Sequence, residues 1–230
     1  MRLILVRHGE PDYKLDCLTA LGHRQAEACA YRLRDEGICE IYSSPMGRAQ
    51  ETADYTSQLL DIPVQTLPFM HEIRFRPAEE GVELPHNGNP WLNVFDRVAD
   101  GKPIHVSDWR GEYPYCRSLV SETVPYIMNC FDEWLKGFGY VREGEYYRVT
   151  SLCDKTVALF SHAGASVAVV CRLFNLSYLF ACSALSPDLT GISVVTLHGR
   201  EGELTAPRFE IFNDAKHIRN LSDSNAVPDE

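Results

Sequence analysis

Two histidines in this sequence lie two residues after the end of an apolar run. His8 follows the run 3–6 (LILV), and His162 follows the run 156–160 (TVALF). A glycine stands within two residues after each histidine, and Arg7 directly precedes His8. A fixed cation, a titratable imidazole and a backbone without a side chain are together suited to chemistry on an anion.

A second arginine follows another predicted strand, 38–42. Ser44 is the predicted N-cap of the next helix, and Pro45 is its predicted first residue. Arg48 then falls in the first turn, where the helix dipole disfavours a cation by a few tenths of a kcal/mol to about 1 kcal/mol. The alternatives are a solvated arginine and an anion that Arg48 shares with the helix N-terminus. The strand–turn–helix context favours the shared anion.

Parallel strands joined by short turns would bring these residues together. The carboxyl ends of such strands meet at one edge of the sheet, which is where open α/β sheets bind ligands. Two arginines, two histidines and helix N-termini at one edge form a phosphate pocket. A neutral imidazole there can attack phosphorus to give a phosphohistidine, while the cations stabilise charge on the equatorial oxygens.

The hydrophobic patterning predicts an α/β protein. The run 3–6 is apolar at every position, as is typical of a strand buried on both faces of a parallel sheet. A helix over 18–36, with Thr19 as its N-cap, and the strand 38–42 complete a βαβ unit. Pro125 either marks the start of a helix within 117–136 or kinks it. The other predicted strands are 64–67, 146–150 at a sheet edge, 156–160, 192–197 and 208–212, and the other predicted helices are 45–60, 90–99 and one after 164.

Composition and charge exclude several classes of protein. The formal net charge of −10 argues against a nucleic-acid partner. The eight cysteines include no CxxC pair and are predicted to be mostly reduced and buried, although their even number leaves a disulfide framework open. The apolar N-terminal run is too short for a signal peptide or a membrane span, so we predict a cytoplasmic protein without a membrane partner.

The length of 230 residues predicts a single domain, 1–230. The part from about 74 to 116 is rich in Pro, Gly, Asn and His, and we interpret it as an irregular lid insertion over the active face. Substrate specificity is expected to reside there.

The sequence resembles the histidine phosphatase superfamily, in the branch typified by cofactor-dependent phosphoglycerate mutase. The resemblance covers most of residues 1–73 and 155–213. It rests on the motifs 5–10 (LVRHGE), 18–22 (LTALG) with 25–26 (QA), 42–45 (YSSP) with 48–53 (RAQETA), and 161–164 (SHAG). The family implies a three-layer α/β/α sandwich with a mostly parallel central sheet, a phosphohistidine intermediate, and no metal or other cofactor.

The resemblance also implies roles for the four residues. His8 is the nucleophile. Arg7, Arg48 and His162 bind the transferred phosphoryl group, and His162 thereby belongs to the catalytic set. Water or a second acceptor then takes the phosphoryl group from His8.

The leaving oxygen needs a proton, and in the family a glutamate shortly after the third strand supplies it. The corresponding stretch here is 70–75 (MHEIRF), which makes Glu72 the candidate general acid. Arg76 stands where the family often has glycine. The alternative is a surface glutamate paired with Arg74 or Arg76.

Two further features concern the choice of substrate. Lys14 stands where mutases tend to carry an asparagine that helps to bind phosphate, and it is either a phosphate ligand or a solvated lysine. Mutases also carry paired arginines in the insertion, which hold a second anionic group. Here Arg97 and Arg110 stand well apart, although Arg117 lies close behind. This arrangement favours a phosphatase over a mutase.

We therefore predict a metal-independent phosphomonoesterase that acts on a small phosphorylated metabolite through His8. The alternative within enzymes is a cofactor-dependent phosphoglycerate mutase. The alternative outside enzymes is a non-catalytic module that binds a phospho-ligand or a phosphoprotein. A structural protein without a site would leave the position of Arg48 unexplained. The oligomeric state, including a homodimer, is left open.

Overall fold

The structure is a computed structural model, and it describes residues 1–221. The strands are β1 (Arg2–Arg7), β2 (Pro11–Asp12), β3 (Cys17–Leu18), β4 (Ile38–Ser43), β5 (Val64–Thr66), β6 (Tyr140–Glu143), β7 (Tyr146–Val149), β8 (Thr156–Ser161), β9 (Ile192–Thr196), β10 (Leu204–Thr205) and β11 (Arg208–Asp214). The helices are α1 (Ala20–Leu33), α2 (Gly47–Leu60), α3 (Pro90–Ala99), α4 (Val120–Lys136), α5 (Ala163–Phe174) and α6 (Tyr178–Ala184). Within these residues no helix is both long enough and apolar enough to cross a membrane.

Six strands form the central sheet, in the order β11–β9–β1–β8–β4–β5. The pairs β1–β8, β8–β4 and β4–β5 are parallel, whereas β9 and β11 join in antiparallel fashion. Every residue of β1 from Leu3 to Val6 is buried, as expected for an apolar strand that is covered on both faces. The prediction of a mostly parallel sheet is confirmed.

Two separate groups of helices cover the faces of this sheet. Leu3 and Leu5 of β1 belong to an apolar core that includes residues of α4, α5 and α6. Ile4 and Val6 belong to a second core with residues of α1 and α2. The alternation follows from the period of two in a strand, which sends successive side chains to opposite faces. The result is the predicted three-layer α/β/α sandwich.

The first two helices begin in different ways. Thr19 is the N-cap of α1, as predicted, and its hydroxyl accepts a hydrogen bond from the Gly22 N–H at 3.1 Å. Ser44 is not the N-cap of α2 and Pro45 is not its first residue, so that prediction is wrong. The backbone is still extended at Met46, and the helix begins one residue later.

Two other elements differ from the sequence analysis. Pro125 does not mark the start of α4, which begins five residues earlier. The strand β7 was expected at a sheet edge, yet it is the central strand of a separate three-stranded sheet, β10–β7–β6. The short strand β10, in which Leu204 pairs with Arg148, supplies the neighbour that the sequence pattern did not indicate.

The eight cysteines are all unpaired. Cys29, Cys171 and Cys182 are buried, whereas Cys39 and Cys116 are exposed. The expectation that most cysteines are buried is therefore wrong. Apolar or helical surroundings along the sequence do not decide which side of an element faces the core.

The segment 74–116 contains α3 and two short 3-10 turns, a third turn (Tyr115–Arg117) crosses its end, and the rest of it lacks regular structure. An isolated bridge between Pro77 and Ser118 joins the two ends of the segment. Its delimitation as an insertion in a single domain 1–230 stays a prediction. Residues 222–230 of that domain lie outside the described residues.

Candidate active site

Three neighbouring strands of the central sheet end at one edge. His8 directly follows β1, which ends with Arg7, and His162 directly follows β8. A turn of three residues joins β4 to α2, and Arg48 is the second residue of that helix. The ring centroids of the two histidines lie 5.2 Å apart, and both arginines act electrostatically on both rings. The structure thus brings together four residues that lie far apart in the sequence.

The surroundings of His8 determine which ring nitrogen can react. The ring is buried, and its Nδ1 lies 2.7 Å from the carbonyl oxygen of Gly9. A carbonyl oxygen only accepts, so we assign the proton to Nδ1 and the lone pair to Nε2. Burial, together with the charges of Arg48 and Arg7, lowers the pKa of His8 to about 4. His8 is therefore a neutral imidazole at neutral pH.

Thr52 connects the loop after β1 to α2. Its hydroxyl accepts the N–H of Gly9 at 3.0 Å and donates to the carbonyl of Arg48 at 2.7 Å. Thr52 is completely buried. Thr52 is not among the predicted site residues, although its spacing of four residues from Arg48 places both on one face of α2.

Arg48 is 4% exposed, and it forms an ion pair through Nη1 with the carboxylate of Asp16. The same carboxylate accepts the N–H of Gly47, the first residue of α2, at 2.9 Å. A guanidinium and a helix N-terminus are the donors that a phosphoryl oxygen needs. Asp16 thus binds the donors for which an incoming phosphoryl group would compete. Asp16 is not among the predicted site residues, because an aspartate in a turn has an ordinary local explanation.

Three buried nitrogen atoms of this site have no hydrogen-bond partner within the described part of the chain. They are Nε of Arg7, Nε of Arg48 and Nδ1 of His162. The Nη1 of Arg7 donates to the carbonyl of Pro187 at 2.8 Å. Leaving a buried polar group unpaired costs about 1–3 kcal/mol, and an anion bound between these residues would remove that cost.

His162 is the N-cap residue of α5, and it is fully buried. Its Nε2 lies 2.7 Å from the hydroxyl of Ser44, so the residue expected to cap α2 instead contacts the second histidine. Burial and the neighbouring positive charge of Arg48 lower the pKa of His162 to about 2. Its hydrogen-bonding pattern differs from that of His8, since Nε2 rather than Nδ1 is the occupied nitrogen.

Glu72 lies between the sheet edge and the start of α5. Its Oε1 accepts the N–H of Ile73 at 2.8 Å, and the carboxylate also accepts the N–H of Ala165. A Cβ at position 164 would lie 2.6 Å from that oxygen and 2.5 Å from Ile73, so only Gly164 allows this approach. Burial raises the pKa of Glu72, against the opposing effect of those N–H groups and of Arg48.

The alternative for Glu72 was a surface ion pair. Within residues 1–221 neither Arg74 nor Arg76 forms an ion pair with it. Glu72 and Arg48 both line a cleft of about 730 Å³ that opens to solvent.

Lys14 lies on the same turn as Asp16. It is exposed on the turn between β2 and β3, and it does not line the cleft that contains Arg48. Across the described ranges, no group of three or more His, Cys, Asp or Glu residues is placed to hold a metal ion.

The chain is similar to known proteins in sequence and in fold. Residues 3–110 match the family model of the histidine phosphatase superfamily, branch 1. The chain is 35% identical over 114 residues to a protein of Proteus mirabilis named "Probable phosphoglycerate mutase GpmB", covering 44% of this chain and 53% of the relative. It is 35% identical over 88 residues to a protein of the same name from Yersinia enterocolitica, covering 34% of this chain and 41% of the relative. The chain thus spans about half or less of the length of these relatives.

Two solved structures share the fold over nearly the whole chain. One is a phosphoserine phosphatase from Entamoeba histolytica, with a TM-score of 0.62 and 22% identity, covering 94% of this chain and 98% of that one. The other is a mycobacterial glucosyl-3-phosphoglycerate phosphatase, with a TM-score of 0.61 and 23% identity, covering 92% of this chain and 98% of that one. At this level of identity the likeness concerns the fold.

Proposed function

Because the chain belongs to the histidine phosphatase superfamily, we propose that it is a metal-independent phosphomonoesterase. It acts through a phosphorylated His8 on a small phosphorylated metabolite. The cytoplasmic location, the absence of nucleic-acid and membrane partners and the homodimer stay predictions.

The hydrogen bond from His8 Nδ1 to the Gly9 carbonyl is the observation that carries this proposal. It leaves the lone pair of Nε2 available beside two guanidinium groups, while the lowered pKa keeps the ring neutral. A neutral imidazole held next to fixed positive charge is suited to attack on a phosphate monoester. The arginines supply the positive charge that a metal ion supplies in other phosphatases.

In the first step Nε2 of His8 attacks phosphorus, and the bond from phosphorus to the ester oxygen breaks. Arg7, Arg48 and His162 stabilise the negative charge on the three equatorial oxygens. Glu72 transfers its proton to the leaving oxygen, so that an alcohol departs. The raised pKa of Glu72 suits this role, because it keeps a larger fraction of the carboxyl group protonated.

In the second step the ionised Glu72 takes a proton from water as the water oxygen attacks phosphorus. The bond from phosphorus to Nε2 of His8 breaks, inorganic phosphate forms, and Glu72 is protonated again. The same group thus acts as acid and then as base.

Turnover of p-nitrophenyl phosphate in the presence of EDTA tests the proposal. We expect hydrolysis by the unaltered protein and loss of hydrolysis in His8→Ala. The matched control is His198→Ala, since His198 is exposed at the end of β9, outside the site. Full activity in His8→Ala, or activity that EDTA abolishes, would contradict the proposal. Phosphate binding without turnover across sugar phosphates, nucleotides, phosphoglycerates and phosphoamino acids would support the binding-module alternative instead.

A phosphoglycerate mutase is the second candidate, and the names of the relatives in Proteus and Yersinia favour it. It differs from a phosphatase in the second step, because an alcohol rather than water takes the phosphoryl group from His8. Isomerisation of 3-phosphoglycerate primed by the bisphosphate would support the mutase. Release of inorganic phosphate without isomerisation would support the phosphatase.

A further inference from the structure

The cleft of about 730 Å³ above the phosphate-binding residues has a mainly apolar lining. Arg48 and Glu72 both line it. The apolar and aromatic side chains of Tyr13, Met46 and Phe75 line it as well. A phosphoryl group bound at Arg48 would therefore place its ester oxygen near Glu72 and its leaving group among the apolar side chains.

Met46 marks the point at which the leaving group would enter the cleft. Its sulfur lies 3.6 Å from Nη2 of Arg48 and 3.5 Å from the backbone nitrogen of Glu72. The residue thus spans the distance between the phosphate ligand and the candidate acid. Its thioether side chain is apolar and adaptable, so the first carbons of the leaving group would contact a deformable apolar surface.

Tyr13 also lines the cleft. The Cζ of Arg48 lies 5.4 Å from its ring centroid, within the range of a cation–π contact. The side chain is nevertheless 70% exposed, which leaves much of the ring open to a ligand. Burial of such aromatic surface against an apolar ligand is favourable, whereas a charged ligand would lose water there without compensation.

The cleft contains one basic residue besides Arg48 and no second pair of cations. Among the described residues, Arg74 is the only other arginine or lysine that lines it, and the carboxylate of Asp16 pairs with Arg48. Arg97, in the insertion, is 9% exposed and is held by Glu112 at 3.0 Å and by the carbonyl of Pro103. It does not line the cleft.

Two other arginines in or near the insertion do not line the cleft. Arg117 forms an exposed ion pair with Glu79 at 3.1 Å. Arg110 is exposed on a 3-10 turn and does not line the cleft. A leaving group that carries a carboxylate or a second phosphate would thus meet no pair of cations of the kind that holds such a group.

From the apolar lining beside Arg48 and Glu72 we infer the chemical class of the substrate. The preferred substrate is a phosphomonoester of an uncharged alcohol, whose apolar or aromatic group contacts Tyr13, Met46 and Phe75. The inference rests on the proposed phosphatase activity at His8 and adds the chemical class of its substrate. Phosphoglycerates and other esters with an acidic leaving group are then poor substrates.

Two phosphate esters of primary alcohols test this inference, namely 3-phenylpropyl phosphate and 3-(phosphonooxy)propanoate. Both release a primary alcohol, so they differ mainly in the phenyl or carboxylate group at the far end. We expect kcat/KM to favour the phenyl ester on the order of tenfold or more, the range seen for differences in apolar contact within a binding pocket. Equal values, or a preference for the carboxylate, would overturn the inference.

Variants at the turn between β2 and β3 connect the preference to the cleft. Tyr13→Ser should reduce the ratio of the two kcat/KM values, and Tyr13→Lys should reduce it further by adding a cation. Leu15→Ser is the matched control, because Leu15 lies on the same turn, is 71% exposed and does not line the cleft. An unchanged ratio in both Tyr13 variants would contradict the inference.

Hydrolysis of p-nitrophenyl phosphate, measured on the same preparations, distinguishes a failure of the phosphatase proposal from a failure of the substrate class. If that ester is hydrolysed while the carboxylate ester is preferred over the phenyl ester, the phosphatase proposal holds and the substrate class is wrong. If none of the three esters is hydrolysed, the phosphatase proposal itself fails, and the substrate class fails with it.

Discussion

The ends of β1 and β8 carry the same pattern of residues in different surroundings. Both strands are buried and parallel, and a histidine follows each. His8 leads into a loop and uses Nδ1 to contact the carbonyl of Gly9, whereas His162 begins a helix and uses Nε2 to contact Ser44. The pKa of His8 is lowered to about 4 and that of His162 to about 2.

This difference shows that a histidine at a strand end does not by itself identify the nucleophile. The identity depends on which ring nitrogen the neighbouring backbone and side chains occupy. His8 retains a lone pair on Nε2 next to the cleft residues. His162 is buried as well, and the Ser44 hydroxyl already occupies its Nε2, so we propose for it the role of a fixed ligand of the phosphoryl group.

The largest expected effect is that of His8→Ala. Without a nucleophile no phosphoenzyme forms, and we expect kcat to fall by at least about 10⁴-fold. Steady-state hydrolysis of p-nitrophenyl phosphate measures the loss. Circular dichroism would show whether the variant keeps its fold. A folded variant with activity within tenfold of the unaltered protein would show that the two histidines are not distinguished as described.

His162→Ala should have a smaller effect than His8→Ala. Loss of one ligand to the developing charge typically lowers kcat by about 10²–10³-fold. The phosphoenzyme should still form, although more slowly. Rapid-quench measurement of covalently bound phosphate checks this, and a complete absence of phosphoenzyme from the folded variant would assign the nucleophile to His162 instead.

The third prediction concerns Glu72→Gln and the dependence on pH. His8 reacts as the neutral base, so kcat/KM should rise with pH through about 4. Glu72 reacts as the protonated acid, so activity should fall at higher pH, through its raised pKa. Glu72→Gln should lower kcat for alkyl phosphates by about 10²–10⁴-fold and remove the descending limb that Glu72 causes.

With p-nitrophenyl phosphate, the rate of the first step should fall much less in Glu72→Gln, because p-nitrophenolate leaves without a proton. The comparison of an alkyl ester with this aryl ester therefore separates acid catalysis from a general loss of structure. An equal loss of phosphoenzyme formation with both esters would contradict the role of Glu72.

The smallest predicted effect concerns Asp16. Asp16→Asn removes the charge that competes with phosphate for Arg48 and the N-terminus of α2. Partly exposed ion pairs contribute little, so the inhibition constant of inorganic phosphate should fall by no more than about fivefold. The inhibition constant is measured from inhibition of hydrolysis by inorganic phosphate at constant pH. A weaker affinity for phosphate would indicate that Asp16 orients Arg48 rather than competing with its ligand.

The sequence predicted the arrangement around the sheet well, because strand period and chain topology determine it. The apolar runs 3–6 and 156–160 are typical of central strands, and parallel strands bring their carboxyl ends to one edge. That rule predicts the positions of Arg7, His8 and His162 at this edge. Their catalytic roles stay predictions.

The contacts made by turns and loops could not be predicted in the same way. Ser44 has the sequence context of an N-cap, yet the helix begins three residues later. The hydroxyl of Ser44 contacts His162 instead. Asp16 reaches α2 only because the short turn between β2 and β3 folds back over the helix N-terminus. The cleft residues Tyr13 and Phe75 belong to irregular segments in which no periodic pattern indicates direction. Such contacts depend on tertiary structure rather than on local propensity.

Identification of the phosphorylated nitrogen tests the central claim most directly. Glu72→Gln should accumulate phosphoenzyme from p-nitrophenyl phosphate, because its first step needs no acid and its second step lacks a base. Peptide mapping and phosphorus NMR of that species should place the phosphoryl group on Nε2 of His8. A phosphoryl group on His162, on Nδ1 of His8 or on no histidine at all would contradict the account.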